Sequence, residues 1–581
     1  MEDLLNHFKE TLNDDEITVE ERLDIIEKND IETTSLLNKI LLFKENENKV
    51  TFNESLFQDI ELFTDHLQNE ELSIFNKIDR THTILGNYYL KFKLKTPTFD
   101  IAKLNIQKDN IQKILNSNYL DELKSIHENE KEVLWFWKEI DENLQSIHDM
   151  IYFTSPYLNF INYNEIYLLI LNIYKIFISP MITVVSPLSS IIFLFIMYNY
   201  YKIDIPFSEM IRVCKKLFLQ QFSGNSKMKI FFSVSIWLFF YFQGIYQSIN
   251  ISKQINKISN IFHNKINILT KFVKISNIIH LKVQEDDLLL KYSDISYNLN
   301  KLLPSLKHKL FELEPCLLNN KGKIFSTYYT ILNIKEQFLP LLSFISEIDY
   351  YNSIKSLYLE FKDKKNKYCF PKYCDTKNIV YKIENCWHPY LDTSPVQNSI
   401  CLDKNIIITG PNAAGKSTFI KTLLINNLLS QTISLSSSSQ LNLSVFENLN
   451  SYLHIPDTKG KESLFEAEMN RSFNYINYLK ENRNRKSFII MDEIFSSTNN
   501  IEGLKAAEIV CKKLAKFNNN LTLLTTHYDG LSKLEKTNKF SNYKFKIRRD
   551  NDNNIIFTYK IAKGISKDKI ALELFSKKIN K

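Results

Sequence analysis

The segment Gly410-Pro-Asn-Ala-Ala-Gly-Lys-Ser417 has the G-x-x-x-x-G-K-S pattern of a phosphate-binding loop. In such a loop backbone amides surround phosphate oxygens, the lysine reaches the β- and γ-phosphates, and the hydroxyl binds Mg²⁺. The chain has only 10 glycines in 581 residues, yet two of them occupy the loop positions that need an unhindered backbone. The predicted nucleotide-binding residues are Gly410, Pro411, Asn412, Ala413, Ala414, Gly415, Lys416, Ser417 and Thr418.

Three further side chains could complete a site for hydrolysis. Asp492, Glu493 and His527 each follow an apolar run typical of a buried strand. Because the carboxyl ends of neighbouring parallel strands meet at one edge of a sheet, these side chains should lie beside the phosphate loop. We predict that Asp492 and Ser417 bind Mg²⁺, that Glu493 orients or deprotonates the attacking water, and that His527 senses the γ-phosphate. Lys416 joins Glu493 and His527 as a predicted catalytic residue.

Alternating strands and helices are expected to hold these groups in place. The apolar run Asn405-Ile-Ile-Ile-Thr409 precedes the loop, and residues 418–425 have the spacing of an amphipathic helix. Further β-like runs alternate with helical patterns from about residue 376, whereas the preceding sequence has helical spacing with few Gly or Pro. The sequence therefore predicts a mixed fold, with a long all-α region followed by an α/β P-loop domain.

Two uncharged runs interrupt the helical half, one from Ile176 to Tyr201 and one from Ile230 to Ser252. Each is long enough to cross a hydrocarbon core of about 30 Å as a helix. They predict either a membrane hairpin, which would return both flanks to one side, or a pair of buried core helices. Residues 202–229 between them contain more Lys and Arg than acid. That excess conflicts with a hairpin whose other end is cytosolic, since short basic loops stay on the cytosolic side.

Composition excludes several classes of protein. The chain is 44% hydrophobic and 24% charged, which is ordinary for a folded protein and unlike a disordered one. The net charge of +7 is spread along the sequence, so it does not by itself indicate nucleic-acid binding. The 7 cysteines are scattered and lack C-x-x-C pairs, so we expect reduced thiols and no zinc site. The N-terminus lacks a secretory signal pattern, and we expect an intracellular protein.

The motifs resemble, in their sequences and their order, those of the MutS family of DNA mismatch repair ATPases, which belong to the ABC type. Ile408-Thr-Gly-Pro-Asn-Ala-Ala-Gly-Lys-Ser-Thr418 is similar to the TGPN-x-x-GKST loop of the family. Ser463-Leu-Phe-Glu-Ala-Glu-Met469 resembles its S-x-F-x-x-E-M signature, and Met491-Asp-Glu-Ile494 and Thr526-His-Tyr528 resemble its MDEI and THY segments.

The resemblance extends upstream into the helical half. Ile78-Asp-Arg-Thr-His-Thr-Ile-Leu-Gly86 is similar to the start of the MutS core domain, and Ser346-Glu-Ile-Asp349 is similar to its return towards the ATPase. Coverage runs from about residue 60 to about 575, and we expect no mismatch-reading or connector domain. The implied domains are a short N-terminal helical segment (1–60), a helical core and lever domain with the apolar hairpin at about 176–252 (60–375), a MutS-type P-loop ATPase domain (376–562) and a truncated C-terminal dimerisation segment (563–581).

The resemblance also implies how the ATPase works. It implies ATP and Mg²⁺ as cofactors and a composite site, in which Ser463 of one chain contacts the γ-phosphate held by its partner. The partner would be a second copy or a paralogue, and the dimer would bind double-stranded DNA.

Three functions follow as hypotheses. The leading one is an ATP-dependent DNA-binding protein of the MutS type, related to mismatch repair or recombination. ATP hydrolysis would open and close a dimeric clamp without mismatch discrimination, in the nucleus or cytoplasm. The alternative is a membrane-anchored MutS-like ATPase, with the ATPase on the cytosolic face, that acts on a membrane or protein partner. The third is a nucleotide-gated scaffold that barely turns over.

Three positions depart from the family pattern. Phe495-Ser-Ser497 stands where the family has G-R-G, a change that could alter communication between the two nucleotide sites. Trp387 replaces the arginine that precedes His-Pro, and no aromatic residue that would stack on adenine is evident just upstream of Asn398.

Overall fold

The computed structural model describes residues 49–186, 227–288, 321–453, 464–550 and 555–566, apart from 54, 66–67, 138–141, 392 and 394, together with isolated positions at 196, between 200 and 216, and at 295. Most of the predicted segments 1–60 and 563–581, the later part of the first uncharged run, and Ser463 lie outside the described residues. The chain divides into two compact units. The first comprises Met1–Leu36, Ser125–Ile278 and Tyr292–Leu341, and the second comprises Leu37–Lys124, Ile279–Lys291 and Leu342–Lys581.

The predicted mixed fold is confirmed, because helices dominate the described residues up to 360 and an α/β region follows. The α-helices of the described part of the chain are α1 (Leu56–Asp59), α2 (Ile74–Ile78), α3 (Ile84–Lys95), α4 (Ile101–Lys113), α5 (Leu120–Leu134), α6 (Glu142–Ile151), α7 (Glu165–Ile173), α8 (Lys227–Glu285), α9 (Lys321–Ile334), α10 (Leu339–Glu360), α11 (Lys416–Thr432), α12 (Leu464–Glu481) and α13 (Asn500–Leu514). Helix α7 continues through a π-helical turn, Tyr174–Ile178, as far as Ser186.

Several helices begin where a short polar side chain satisfies the free amides of the first turn. The hydroxyl of Thr83 accepts from the amide of Gly86 at the start of α3, and the carboxylate of Asp100 accepts from that of Lys103 at the start of α4. The amide oxygen of Asn499 accepts from two backbone amides at the start of α13. These caps fix helix starts that periodicity alone leaves uncertain.

The α/β region, together with one short upstream strand, forms a seven-stranded sheet with the order β1-β7-β8-β9-β5-β10-β11. All neighbouring pairs are parallel except β10 and β11, which form an antiparallel pair at one edge. The strands of this sheet are β1 (Thr51–Phe52), β5 (Asn405–Thr409), β7 (Asn448–Tyr452), β8 (Ser487–Asp492), β9 (Asn520–Thr526), β10 (Phe540–Arg549) and β11 (Ile555–Lys563). A second sheet has the order β2-β6-β3-β4 and contains β2 (Lys372–Tyr373), β3 (Tyr381–Cys386), β4 (Asn398–Leu402) and β6 (Gln440–Leu443).

The order of the central strands positions the predicted site. Strand β9 lies between β5 and β8, and the three strands are parallel. Thr526 pairs with Thr409, and Thr525 pairs with Asp492, so all three strands end at the same level. Their side chains are almost fully buried, which agrees with the continuous apolar runs of a parallel sheet covered on both faces.

The two upstream segments that resemble the MutS core domain meet at Asp349. This fully buried carboxylate on α10 accepts hydrogen bonds from the amides of His82 and Thr83 and from the Thr83 hydroxyl, the last at 2.7 Å. Gly86 packs directly against it, since a Cβ at this position would lie 2.1 Å from Oδ2 of Asp349. The start of α3 therefore depends on a residue that is more than 260 positions away.

Helix α11, which follows the phosphate loop, ends against the helical part of the same unit. The carbonyl of Thr432 accepts from Nε2 of Gln107 at 2.9 Å and from the hydroxyl of Tyr350 at 3.1 Å. The neighbouring Gln431 donates to the carbonyl of Thr98 at 3.1 Å. These contacts satisfy carbonyls that a helix end leaves without a partner. They join the nucleotide-binding helix directly to residues of α4 and α10.

One helix of the described chain, Glu165–Ser186, is long and apolar enough to cross a membrane, and only 17% of its most apolar window is buried. The first part of α8 is also exposed, because Phe231, Phe239 and Phe242 are 70%, 64% and 63% exposed. The described parts of the two uncharged runs are therefore mostly exposed in the chain, and both the membrane hairpin and the pair of core helices stay predictions.

Candidate nucleotide-hydrolysis site

The phosphate loop connects the end of β5 to the start of α11. Gly415 immediately precedes α11 with φ of 92°, and Ala413 has φ of 63°. The left-handed region is open to glycine at little cost, which explains why the second glycine of the motif is needed. These conformations turn successive amides towards one point in front of α11, as anion-binding loops require.

Lys416 lies at the centre of the site, and only 4% of its surface is exposed. Its Nζ donates to the carbonyls of Gly410 and Pro411 at 3.0 and 3.2 Å, and lies 3.4 Å from Oε1 of Glu493. Burial lowers the pKa of the Lys416 amino group, while the charge of Glu493 opposes that shift. The amino group thus points from the loop towards the strand that carries the carboxylates.

Glu493 lies between two groups that can bear positive charge. Its Oε1 is 2.7 Å from Nε2 of His527, and that nitrogen is 3.2 Å from Nζ of Lys416. The hydrogen bond from His527 holds the pKa of Glu493 below its ordinary value, and the charges of His527 and Lys416 act in the same direction against the effect of burial. The carboxylate is therefore held in its ionised form, which is the form that can accept a proton from water.

The backbone around Glu493 is unusual. Glu493 has φ of 49° and Phe495 has φ of 60°, values that are rare for residues other than glycine. The amide of Glu493 donates to the carbonyl of Thr525 at 3.1 Å, so the turn is anchored to β9. This turn points the carboxylate away from the sheet and towards Lys416.

Asp492 and Ser417 fit a magnesium site. Asp492 is the last residue of β8, and its carboxylate accepts a hydrogen bond from the Thr525 hydroxyl. Ser417 lies in the first turn of α11 and lines the same cavity as Lys416 and Glu493. Mg²⁺ in phosphate sites is bound by one or two protein oxygens together with phosphate and water. In the part of the chain that the structure describes, no cluster of three His, Cys, Asp or Glu side chains could hold a metal by itself.

A cavity of about 600 Å³ extends from the phosphate loop between the two sheets. This volume is within the usual range for small-molecule sites. Besides the loop, its lining includes His388, Leu391, Val396, Phe545 and Tyr559. The two aromatic side chains lie beside the loop, since a Cβ at Gly415 would be 3.2 Å from the ring of Tyr559 and 3.9 Å from that of Phe545. The cavity therefore has an apolar and aromatic wall next to the phosphate loop.

Tyr559 and Phe545 are functional candidates that the sequence analysis missed. It looked for an aromatic residue upstream of Asn398, whereas the structure supplies two from the β10–β11 hairpin. Asn398 holds that hairpin, because its Nδ2 donates to the carbonyl of Tyr559 and its Oδ1 accepts from the amide of Ile561, both at 3.0 Å. The sequence signal for this hairpin was the β-like run of residues 554–559, which ends at Tyr559.

Glu468 of the S-x-F-x-x-E-M signature connects α12 to the segment that departs from the family pattern. This 6% exposed carboxylate accepts from the amide of Phe495 at 3.2 Å and from the hydroxyl of Ser497 at 2.9 Å. Burial raises the pKa of Glu468, and the two donors oppose that shift. Tyr528 of the THY segment donates to the carbonyl of Phe495 at 2.7 Å. Three separate motifs thus meet at the turn after Glu493.

The structure brings Lys416, Glu493 and His527 within hydrogen-bonding distance of one another, with Asp492 next to them in the chain. Residues 412–418 of the loop line the cavity, and the carbonyls of Gly410 and Pro411 accept from Lys416. Ser463 lies outside the described residues, immediately before the first residue of α12. Its predicted role in a partner's site stays a prediction.

Comparison with known proteins gives a match to one family description. The model of MutS domain V matches residues 406–578. Among curated proteins the chain is similar to the DNA mismatch repair protein MutS of Finegoldia magna, with 29% identity over 46% of this chain and 32% of the relative. It is also similar to the DNA mismatch repair protein MutS of Clostridium perfringens, with 30% identity over 47% of this chain and 30% of the relative.

A third relative is MutS protein homolog 4 of Mus musculus, which is 29% identical over 35% of this chain and 22% of the relative. In all three relatives the aligned part covers about a third of the relative's length or less. The similarity therefore concerns part of those proteins.

We expect Glu468→Ala to lower kcat for ATP hydrolysis roughly tenfold or more with a smaller change in KM. The Phe495 amide would lose its acceptor two residues after Glu493, and small displacements of a catalytic group are costly. Steady-state assays should show this split between kcat and KM, with Glu466→Ala on the exposed side of the same helix as the matched control. A rise in KM at constant kcat would instead assign Glu468 to nucleotide binding.

Proposed function

This chain is a member of the MutS family through its ATPase domain at residues 406–578, and from that premise we propose that it hydrolyses ATP with Mg²⁺ to drive a dimeric machine that binds DNA. The single observation that carries the hydrolytic part is the cluster of Lys416, Glu493 and His527 within 3.4 Å of one another. It lies at the carboxyl ends of β5, β8 and β9, directly in front of the phosphate loop.

The residues divide the chemistry between them. Lys416 neutralises the β- and γ-phosphates, and the backbone amides of the phosphate loop donate hydrogen bonds to the phosphate oxygens. Ser417 and Asp492 are the residues that would hold Mg²⁺, which supplies further neutralisation of the phosphate charge when bound. A fixed electrostatic environment of this kind supplies most of the catalysis in phosphoryl transfer.

Glu493 is the proposed base that orients the attacking water or accepts its proton. Its pKa is lowered by the hydrogen bond from His527, so the carboxylate is ionised before the nucleotide enters. In the described conformation Glu493 contacts Lys416, a group that must also contact the phosphates. Binding of the γ-phosphate would draw the amino group of Lys416 away from Glu493. The Glu493 carboxylate would then be free to contact the attacking water. His527 contacts both groups and is placed to respond to that exchange.

The proposed assembly is a dimer in which each chain completes the site of the other. Ser463 precedes α12, whose Glu468 contacts the turn after Glu493. A movement of Ser463 on binding the partner's γ-phosphate would therefore reach the catalytic carboxylate of its own chain through α12. The partner is a second copy of this chain or a paralogue.

The proposal that this ATPase binds DNA rests on its similarity to the family. The relatives from Finegoldia magna and Clostridium perfringens carry the name DNA mismatch repair protein, and the net charge of +7 is compatible with a polyanion. We propose that the chain binds double-stranded DNA in a nucleotide-dependent manner, without preference for a mismatch.

Glu493→Gln should abolish turnover and keep ATP binding, because an amide has the shape of the carboxylate but cannot accept the proton. We expect kcat to fall by about 10²-fold or more and the dissociation constant for ATP to change little, as measured by phosphate release and by equilibrium binding. Glu481→Gln at the exposed end of α12 is the control. Unchanged turnover in Glu493→Gln would favour the hypothesis of a scaffold that barely hydrolyses ATP.

The composite site is tested by complementation between two inactive chains. We expect Ser463→Arg to bind ATP but to lack turnover, because the arginine would obstruct the partner's γ-phosphate. Mixed with Glu493→Gln, it should regain activity, since a mixed dimer contains one site with an intact Glu493 and an intact Ser463. Mixtures that stay as inactive as their components, while gel filtration shows mixed dimers, would exclude catalysis in trans.

Binding to duplex DNA should weaken steeply with salt. If Lys and Arg contact 6–10 phosphates, affinity should fall by roughly 10³-fold or more between 50 and 200 mM salt. Retention of a labelled duplex at several salt concentrations, with and without ATP, measures this dependence. Equal retention of matched and mismatched duplexes is expected. A protein that retains no duplex at the lowest salt and still hydrolyses ATP would separate the DNA proposal from the ATPase.

A further inference from the structure

Two neighbouring helical segments of the first unit expose an apolar surface that the ATPase does not use. We call residues 176–186, which end α7, and residues 231–252, which begin α8, the apolar helix pair. No residue of the pair is charged. The large apolar residues of the pair that are exposed are Phe177, Ile178, Met181, Ile182, Val184, Val185, Phe231, Phe232, Ile236, Leu238, Phe239, Phe240, Phe242, Tyr246, Ile249 and Ile251.

The two segments run antiparallel in contact with each other. The Ser252 hydroxyl donates to the carbonyl of Ile176 at 3.2 Å, and the Tyr241 hydroxyl donates to that of Val184 at 2.7 Å. This register places the first residue of one uncharged run beside the last residue of the other. The adjoining charged residues, Lys175 and Lys253, consequently bound the pair at the same end.

The exposure extends around the helices and is not confined to one stripe. Phe231 and Phe232 are neighbours in sequence, as are Phe239 and Phe240, and all four are exposed. Neighbouring residues point about 100° apart on a helix, whereas a helix that packs on one protein surface has a single apolar stripe of about that width. An environment that surrounds the pair accounts for this pattern better than a groove on one side.

Helix α8 changes character at the end of the pair. Beyond residue 252 it buries one face, including Ile255, Ile258 and Phe262, and carries lysines such as Lys253 and Lys257. The same continuous helix is thus amphipathic in one part and, in the other, uncharged with large apolar side chains exposed in several directions. Such a change along one helix is expected where it passes from water into hydrocarbon.

Some hydroxyl groups within the pair donate to backbone carbonyls of the pair, an arrangement that hydrocarbon favours. The Thr183 hydroxyl donates to the carbonyl of Ser179 at 2.9 Å, and the Ser186 hydroxyl donates to that of Thr183 at 3.0 Å. The amino group of Lys175, which adjoins the pair, donates to the carbonyl of Met150, so its charge is directed away from the apolar segment.

We propose that the apolar helix pair is embedded in a lipid bilayer and anchors the ATPase to a membrane. The uncharged run that contains residues 231–252 is long enough to match a hydrocarbon core of about 30 Å at 1.5 Å per residue. The anchor goes beyond ATP hydrolysis and DNA binding, and neither of them depends on it.

The first experiment asks whether the full-length chain stays in the membrane pellet after alkaline carbonate washing, and whether the purified chain floats with phosphatidylcholine vesicles in 1 M salt. Retention and flotation are both expected, because an embedded helix is not released by pH or salt. Release by carbonate, or a detergent-free soluble protein that does not float, would overturn the proposal. A protein partner on the membrane would hold the chain in the pellet but would not make it float with pure lipid.

A matched pair of variants locates the anchor. Phe231→Glu, Phe239→Glu and Phe242→Glu, combined in one chain, should abolish flotation, since three carboxylates would enter the hydrocarbon. The control is Ile278→Glu with Leu281→Glu, at exposed apolar positions of the same helix beyond the pair, and it should float like the native chain. Equal flotation of both variants would overturn the assignment. ATP hydrolysis by the triple variant reports whether it is folded, and Glu493→Gln should float normally whatever its turnover.

If the triple variant does not fold, Trp237 provides a second measurement. It lies within the pair, whereas Trp135, Trp137 and Trp387 are buried elsewhere in the described chain. Vesicles of brominated phosphatidylcholine should quench the fluorescence of the native chain, and Trp237→Phe should remove the quenchable part. Fluorescence that brominated lipid leaves unchanged would exclude insertion.

Discussion

The parallel register of β8, β9 and β5 is the constraint on which the nucleotide site depends. Because β9 lies between the other two and all three end at one level, the loop lysine, the acidic pair and the histidine emerge side by side from three distant parts of the sequence. The charges of these side chains then act on one another. The carboxylate of Glu493 is stabilised between Lys416 and His527, and its pKa is lowered accordingly.

How much could be predicted from the sequence differs between the parts of the site. The phosphate loop is a local structure, so its residues and spacing identify it directly, and the apolar strands before Asp492 and His527 indicate the sheet edge that gathers them. Tyr559 could not be found this way, because its place in the cavity depends on the β10–β11 hairpin folding beside Asn398. The contact of Glu468 with Ser497 is similar, since no periodicity joins positions on separate elements.

In the helical half, the sequence predicts the secondary structure but not the surroundings of the helices. Its periodicity predicts helices correctly, but the two uncharged runs are compatible with burial in protein and with burial in lipid, and composition cannot distinguish them. The structure adds the exposure of their described parts, since neighbouring phenylalanines of α8 lie at the surface in different directions, and the proposed membrane anchor rests on that observation. The resemblance identified both segments as parts of one core domain, but the contact of Asp349 with Thr83 was not predicted, because neither segment carries a physical signal for the other.

Helix α11 has one end at the phosphate loop and the other at Gln107 and Tyr350. Its 17 residues span about 25 Å, and almost all of its side chains after the first turn are buried. A tightly enclosed helix has little room to bend, so it transmits an axial push as a rigid rod does. A movement of its first turn on nucleotide binding would therefore be passed along the helix axis to its contacts with α4 and α10.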